Sequence, residues 1–268
     1  MNISDYEVKE NENPLDVIKP HGGFAAIFRT IGCIGDSLSS GEFESTNPEG
    51  TEKGYHDYFE YSWGQFMARA MGSTVYNFSR GGMTASEYMD KFGEAKNFFD
   101  KEKACQCYII ALGVNDVLNR KIEVGSADDV DPLHPERNKQ NFAGRYAELI
   151  SKYKEISPDA KFFLMTMANE CDSPREKIES IEKHRALLYE LSEVFDNTYV
   201  IDLYKYGPKY DTTFKRRYYL GGHLNPMGYL LTAEMVMSYI DYVIRKNPED
   251  FLQVGFIGKG VHNYNNKW

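Results

Sequence analysis

Five short apolar runs alternate along this chain with longer segments of helical period, and that alternation restricts the fold more than any other feature of the sequence. Phe28–Ile34, Thr74–Phe78, Cys105–Leu112, Lys161–Met167 and Thr198–Leu203 read as strands, rich in Ile, Val, Phe and Tyr. Between them, Tyr61–Met71 places Trp63, Phe66, Met67 and Ala70 on one face, the spacing of a helix packed on a sheet. Asn141–Ile156, Pro174–Phe195 and Met227–Arg245 repeat that signal, with Pro174 suited to a first helical turn and Asn225-Pro226 supplying a cap and a start. Strands that are apolar throughout and separated by helices predict a parallel sheet covered on both faces. The fold class is therefore α/β: a single doubly wound domain around a central five-stranded parallel sheet of order 2-1-3-4-5, flanked by helices. Ligands of such sheets bind beyond the carboxyl ends of the strands, so functional residues belong just after each run.

Composition narrows the function classes. At 268 residues the chain buries roughly 75% of the surface its unfolded form exposes, so its core needs no metal or disulfide staple. A formal net charge of −9 argues against an extended basic surface for nucleic acid or an anionic membrane. Lys215, Arg216 and Arg217 form a local basic cluster that reads as a solvated surface turn. The acidic start lacks the basic and apolar regions of a secretory signal, and no run reaches the roughly 18 apolar residues of a membrane span. The four cysteines are read as reduced and structural, in a cytoplasmic protein. The expected organisation is an N-terminal arm over 1–24, one domain over 25–250 and a C-terminal tail over 251–268. Val117–Lys139 is too long for a structureless connection and reads as a lid or rim element with structure of its own.

The residues after the strands carry the chemistry. After the first comes Gly35-Asp36-Ser37-Leu38-Ser39-Ser40-Gly41, where Ser37 sits as a helix begins and could be a nucleophile, a cap or a phosphate ligand. After the second comes Ser79-Arg80-Gly81-Gly82-Met83-Thr84, and after the third Gly113-Val114-Asn115-Asp116. A backbone N–H freed by paired glycines, a side-chain amide on the neighbouring loop and the Ser37 N–H are the parts of an oxyanion hole. His223, in Leu220-Gly221-Gly222-His223, alone among the six histidines lies in a Gly-rich loop opening a helix, where it could take a proton from a serine. His184, in a charged helix, reads as a surface residue. Asp36, Asp116 and Asp202 read as loop braces accepting backbone N–H bonds.

These four blocks, in order and after the appropriate strands, resemble the SGNH hydrolases, also called GDSL esterases/lipases, over roughly residues 31–244. The resemblance implies their flavodoxin-like fold, a Ser37 nucleophile, a His223 base, and an oxyanion hole of the Ser37 and Gly82 N–H groups with the Asn115 amide. It implies acyl transfer without a metal or organic cofactor. One position departs from the pattern: the family usually has an aspartate three residues before its histidine, and here that residue is Leu220. In a related triad its loss costs roughly ten-thousandfold in turnover. Three readings stay open. The Leu220 backbone carbonyl or a neighbouring one orients the imidazole; Asp211 or another carboxylate of the 204–222 connection folds back to do so; or the site is degenerate and binds without turning over.

The expected substrate is a small-molecule or carbohydrate ester with a short acyl chain, O-acetyl on a sugar being favoured because Tyr55, Tyr58, Tyr61, Tyr218 and Tyr219 fall near the site loops. The rival is a non-catalytic glycan- or ligand-binding protein on an esterase scaffold. A flavodoxin-like phosphate binder leaves Asn115 and His223 unexplained. Oligomeric state is not legible in the sequence.

Overall fold

The computed structural model describes residues 3–265. The outermost residues of the two expected arms, 1–2 and 266–268, lie outside the described residues. The chain runs through β1 (Thr30–Gly35), a single turn α1 (Ser37–Ser40), a hairpin of β2 (Glu42–Thr46) and β3 (Lys53–Asp57), α2 (Trp63–Met71), β4 (Thr74–Ser79) and β5 (Cys107–Ala111). It continues through α3 (Phe142–Ile156), β6 (Lys161–Met165), α4 (Arg175–Val194), β7 (Thr198–Ile201), α5 (Thr212–Tyr218), β8 (Tyr219–Leu220), β9 (His223–Leu224) and α6 (Pro226–Lys246). The five long-range strands pair in parallel in the order β4-β1-β5-β6-β7, which is 2-1-3-4-5 among the parallel strands alone.

Alternate side chains of each strand feed two separate cores. Ile34, Tyr108, Ile110, Phe162 and Leu164 face a cluster closed by α3 and α4. Ile31, Cys33, Cys107, Ile109 and Phe163 face another closed by α2 and α6. A strand buried on both faces has no polar side, which is why these runs are apolar throughout. Cys105 and Cys107 fall in opposite clusters, and all four cysteines are free.

The helices start where the sequence offers caps. Ser62 accepts from the Gln65 N–H at 3.2 Å, Asn141 from Gly144 at 3.0 Å and Asn225 from Gly228 at 3.0 Å, with Pro226 in the first turn of α6. The terminal segments are docked on the domain: Glu12 pairs with Arg245 at 2.6 Å, both nearly buried, and Phe251, Val254 and Ile257 join the core beside Phe28. The 117–139 segment carries short turns at Ala127–Asp129 and Pro135–Arg137, and is tied to the flank of the domain by Asp129 accepting from the Asn141 amide at 2.7 Å and by the Ala127 N–H donating to Glu190.

His184 corrects the sequence reading. It is fully buried, with Nε2 3.1 Å from the Leu112 carbonyl oxygen, on the α4 stripe of Ile181, Leu188 and Leu191. That spacing of three, four and three marks a buried helix face that the surrounding charges obscure. Burial holds its imidazole down to about 4, so it is neutral at ordinary pH. No helix among the described residues is long and apolar enough to cross a membrane.

Candidate active site

Sheet register brings the loops after β1, β4 and β5 to one edge, because Gly35 pairs with both Ser79 and Ala111. Ser37 opens α1, whose cap is Asp36: its Oδ1 accepts from the Leu38 N–H at 3.1 Å. Gly82 has φ +71, and nothing lies within 4 Å of where its Cβ would be, so this backbone turns in a way that favours glycine and faces open space. Asn115 joins the two blocks. Its Nδ2 donates to the Met83 carbonyl at 3.1 Å and to Asp36 Oδ2 at 3.4 Å, touching the residue after Gly82 and the residue before Ser37.

Two buried carboxylates flank that amide. Burial raises Asp36 to about 7, against the Leu38 N–H and helped by Asp116 and Glu42. Burial likewise raises Asp116 to about 6, while its Oδ1 accepts from the Ala85 N–H at 3.0 Å. Both accept a backbone N–H from a neighbouring loop residue. Asp202 does so too, fully buried and accepting from the Lys205 N–H, Arg185 and Tyr189.

A profile of the GDSL-like lipase/acylhydrolase family matches residues 33–231, most of the chain. This chain belongs to that family. No curated protein matches the sequence. Among solved structures, this GDSL-family chain resembles a family two carbohydrate esterase from Clostridium thermocellum in complex with cellohexaose, at 17% identity and a TM-score of 0.56, covering 81% of this chain and 64% of that one. A carbohydrate esterase family 2 enzyme with a carbohydrate-binding domain from Corynascus thermopiles gives 16% and 0.54, covering 81% and 66%. The esterase EstA from Pseudoalteromonas gives 16% and 0.50, covering 81% and 98%. The chain thus spans slightly less than two thirds of either carbohydrate esterase structure. These likenesses establish the shared fold.

His223 arrives by a different route. β8 and β9 form a tight hairpin that pairs Leu220 with His223 across Gly221-Gly222, with Gly221 at φ +67. No hydrogen bond joins His223 to Ser37 among the described residues. Nε2 of His223 lies 3.0 Å from Glu42 Oε1, while the buried Nδ1 has no hydrogen-bond partner and lies 3.9 Å from Glu44 Oε2. Glu42 reaches across to the loop after β4 as well, its Oε2 filling the space a side chain on Gly81 would need. Burial pushes the imidazole below its usual range, opposed by Glu44 and Asp57 and reinforced by Lys53. Burial and Asp57 raise Glu42.

Among the described residues neither Asp211 nor the Leu220 carbonyl hydrogen-bonds the imidazole. Asp211 caps α5, accepting from the Phe214 N–H at 2.7 Å, and Leu220 contributes backbone pairing with a half-exposed side chain. Lys215 of the basic cluster is paired with Glu170, and Arg216 and Arg217 are exposed on α5.

The residues missed from sequence are Glu42, Glu44 and Asp57, all on one face of the β2–β3 hairpin. The register sets Glu42 opposite Asp57 and Glu44 opposite Tyr55, whose ring meets the His223 ring at 5.8 Å. A weak signal existed: Glu42-Phe43-Glu44 alternates about one aromatic, followed by the turn residues Asn47-Pro48-Glu49-Gly50. Behind the Ser37 turn lies a cavity of about 100 Å³ bordered by Leu38, Val114, Met165, Met167 and Tyr219.

Proposed function

We propose that this GDSL-family protein is a serine ester hydrolase working by acyl transfer through Ser37 and His223, on short-chain acyl esters and in particular O-acetyl groups of a carbohydrate. His223 takes the proton of the Ser37 hydroxyl as Oγ bonds to the ester carbonyl carbon. The resulting oxyanion accepts from the Ser37 and Gly82 N–H groups and the Asn115 amide. The tetrahedral intermediate collapses, the C–O bond to the alcohol breaks, and the alcohol leaves with the proton carried by His223. Water then attacks the acyl-enzyme through the same base, releasing the acid and restoring Ser37.

The observation carrying this proposal is the Asn115 amide, bonded at once to Met83 beside Gly82 and to Asp36 beside Ser37. Met83 and Asp36 take both N–H bonds of the amide at rest, and in this reading the reacting oxyanion takes over the longer of them, the 3.4 Å contact to Asp36. Short acyl groups are supported by the cavity of about 100 Å³ behind Ser37, smaller than the roughly 150 Å³ apolar cavity that admits benzene. A carbohydrate alcohol is supported by the half-exposed rings of Tyr55, Tyr58 and Tyr61 on the hairpin side of the site, and by the two carbohydrate esterases of like fold. Ser37→Ala is expected to abolish p-nitrophenyl acetate turnover with an unchanged fold, and turnover is expected to fall from acetyl to octanoyl esters. Unchanged activity in Ser37→Ala, or rates rising toward octanoyl, contradicts the proposal.

The Glu42 contact at His223 Nε2 favours one other reading, a ligand-binding protein whose base is held away from its serine. Reaction of Ser37 with a fluorophosphonate separates the two.

A further inference from the structure

The GDSL-family position that ordinarily orients the histidine is Leu220 here, and Asp211 is engaged as a helix cap. The imidazole is nevertheless not short of a carboxylate. We infer that Glu44, from strand β2, is the positioning residue that orients His223 through Nδ1, taking over from outside the histidine loop the role that Leu220 leaves vacant. This inference rests on the proposed esterase reading and adds the group that makes His223 a base.

Four observations point to Glu44. His223 Nδ1 is buried without a hydrogen-bond partner, and Glu44 Oε2 lies 3.9 Å from it. An orphaned buried ring nitrogen is costly unless a partner closes on it, and catalytic hydrogen bonds often tighten only in the substrate complex. The Glu44 carboxylate is itself buried, 6% exposed, and is fixed by the Gly222 N–H at 3.0 Å and by Lys53 at 2.7 Å. The hairpin carrying His223 is shaped around it, since a Cβ on Gly221 would stand 2.5 Å from Glu44 Oε1 and one on Gly222 3.0 Å from Oε2. Lys53 and the Gly222 N–H also hold Glu44 below its usual range, so it stays ionised where the imidazole titrates.

Glu42 is placed for a different part. It meets Nε2, the nitrogen that must face Ser37 in acyl transfer, and so marks the contact that substrate has to displace. The titratable and charged groups facing the ring are Glu42, Glu44, Asp57, Lys53 and Tyr55, all from the β2–β3 hairpin.

The test combines kinetics with ¹⁵N spectra of histidine-labelled protein. On p-nitrophenyl acetate, Glu44→Gln is expected to lower kcat by at least 100-fold with KM within about threefold, and to move the acid limb of the kcat/KM profile to lower pH. Glu44→Asp is expected to recover part of the loss. The spectra do not depend on activity. In Glu42→Ala, where Nε2 is freed, His223 is expected to carry its proton on Nδ1; adding Glu44→Gln is expected to move it to Nε2. Lys53→Met, at an exposed side chain that leaves the fold intact, is expected to raise the His223 pKa. An unchanged tautomer on adding Glu44→Gln overturns the role of Glu44, whether or not the protein is active. Wild-type protein that neither hydrolyses esters nor reacts with a fluorophosphonate overturns the esterase reading, while the tautomer still decides for or against Glu44. Turnover lost in Glu42→Gln but kept in Glu44→Gln assigns the orientation to Glu42 and also overturns the inference.

Discussion

Glu42 Oε1 and His223 Nε2 lie 3.0 Å apart, joining the strand after the nucleophile turn to the hairpin that carries the base. Glu42 is 14% exposed and His223 15%, so the contact is only weakly screened by solvent. In the proposed mechanism Glu42 occupies the nitrogen that Ser37 needs, so the proposed base is held in reserve until substrate displaces the carboxylate.

Breaking that contact should activate the serine. A charge-assisted hydrogen bond contributes about 1.5–3 kcal/mol net, and 1.36 kcal/mol is tenfold in rate. Glu42→Ala is accordingly expected to speed fluorophosphonate labelling of Ser37 by roughly 10- to 100-fold, read by intact-protein mass spectrometry. Slower labelling would instead make Glu42 part of the machinery.

The fold was legible because the central strands are buried on both faces and α2, α3 and α6 begin at side-chain caps, with Pro174 marking the start of α4. The loops after β1, β4 and β5 were legible for the same reason: sheet register carries short motifs to one edge without further information. His223 was identified by its Gly-rich setting, but its neighbours were not. Glu42 and Glu44 lie on a two-stranded hairpin with mostly polar residues and little burial, where no apolar alternation marks a strand, and their meeting with His223 spans about 180 residues of sequence, a contact that tertiary packing alone creates. His184 failed for a related reason. Its helix is so charged that a single buried histidine was assigned to the solvent face, although Ile181, Leu188 and Leu191 set the opposite phase.

The oxyanion role proposed for Asn115 gives it an effect on turnover. Asn115→Ala removes one proposed donor and is expected to lower kcat by roughly 100- to 1,000-fold with KM little changed. The steady-state kinetics of an acetyl ester check this; a loss confined to KM would assign Asn115 to substrate binding.

His184 makes the fold acid-sensitive. Its folded pKa of about 4 lies below the ordinary 6.5, so as pH falls the unfolded chain binds the proton first. Its stability contribution is present above 6.5 and is lost as pH falls toward 4. His184→Gln keeps a donor for the Leu112 carbonyl and should remove roughly 2 kcal/mol of the stability lost between pH 7 and pH 5. Urea unfolding at the two pH values measures it; equal losses in wild type and variant would mean that His184 takes up its proton in the folded state.

The central claim is a serine activated by His223, and the most direct measurement is fluorophosphonate labelling of the intact protein, with the site mapped by mass spectrometry, for wild type beside His223→Ala and Asp211→Ala. Labelling is expected at Ser37, lost without His223 and unaffected by loss of Asp211, whose carboxylate is committed to capping α5. No labelling of the wild type, or labelling of Ser37 that persists without His223, would contradict it.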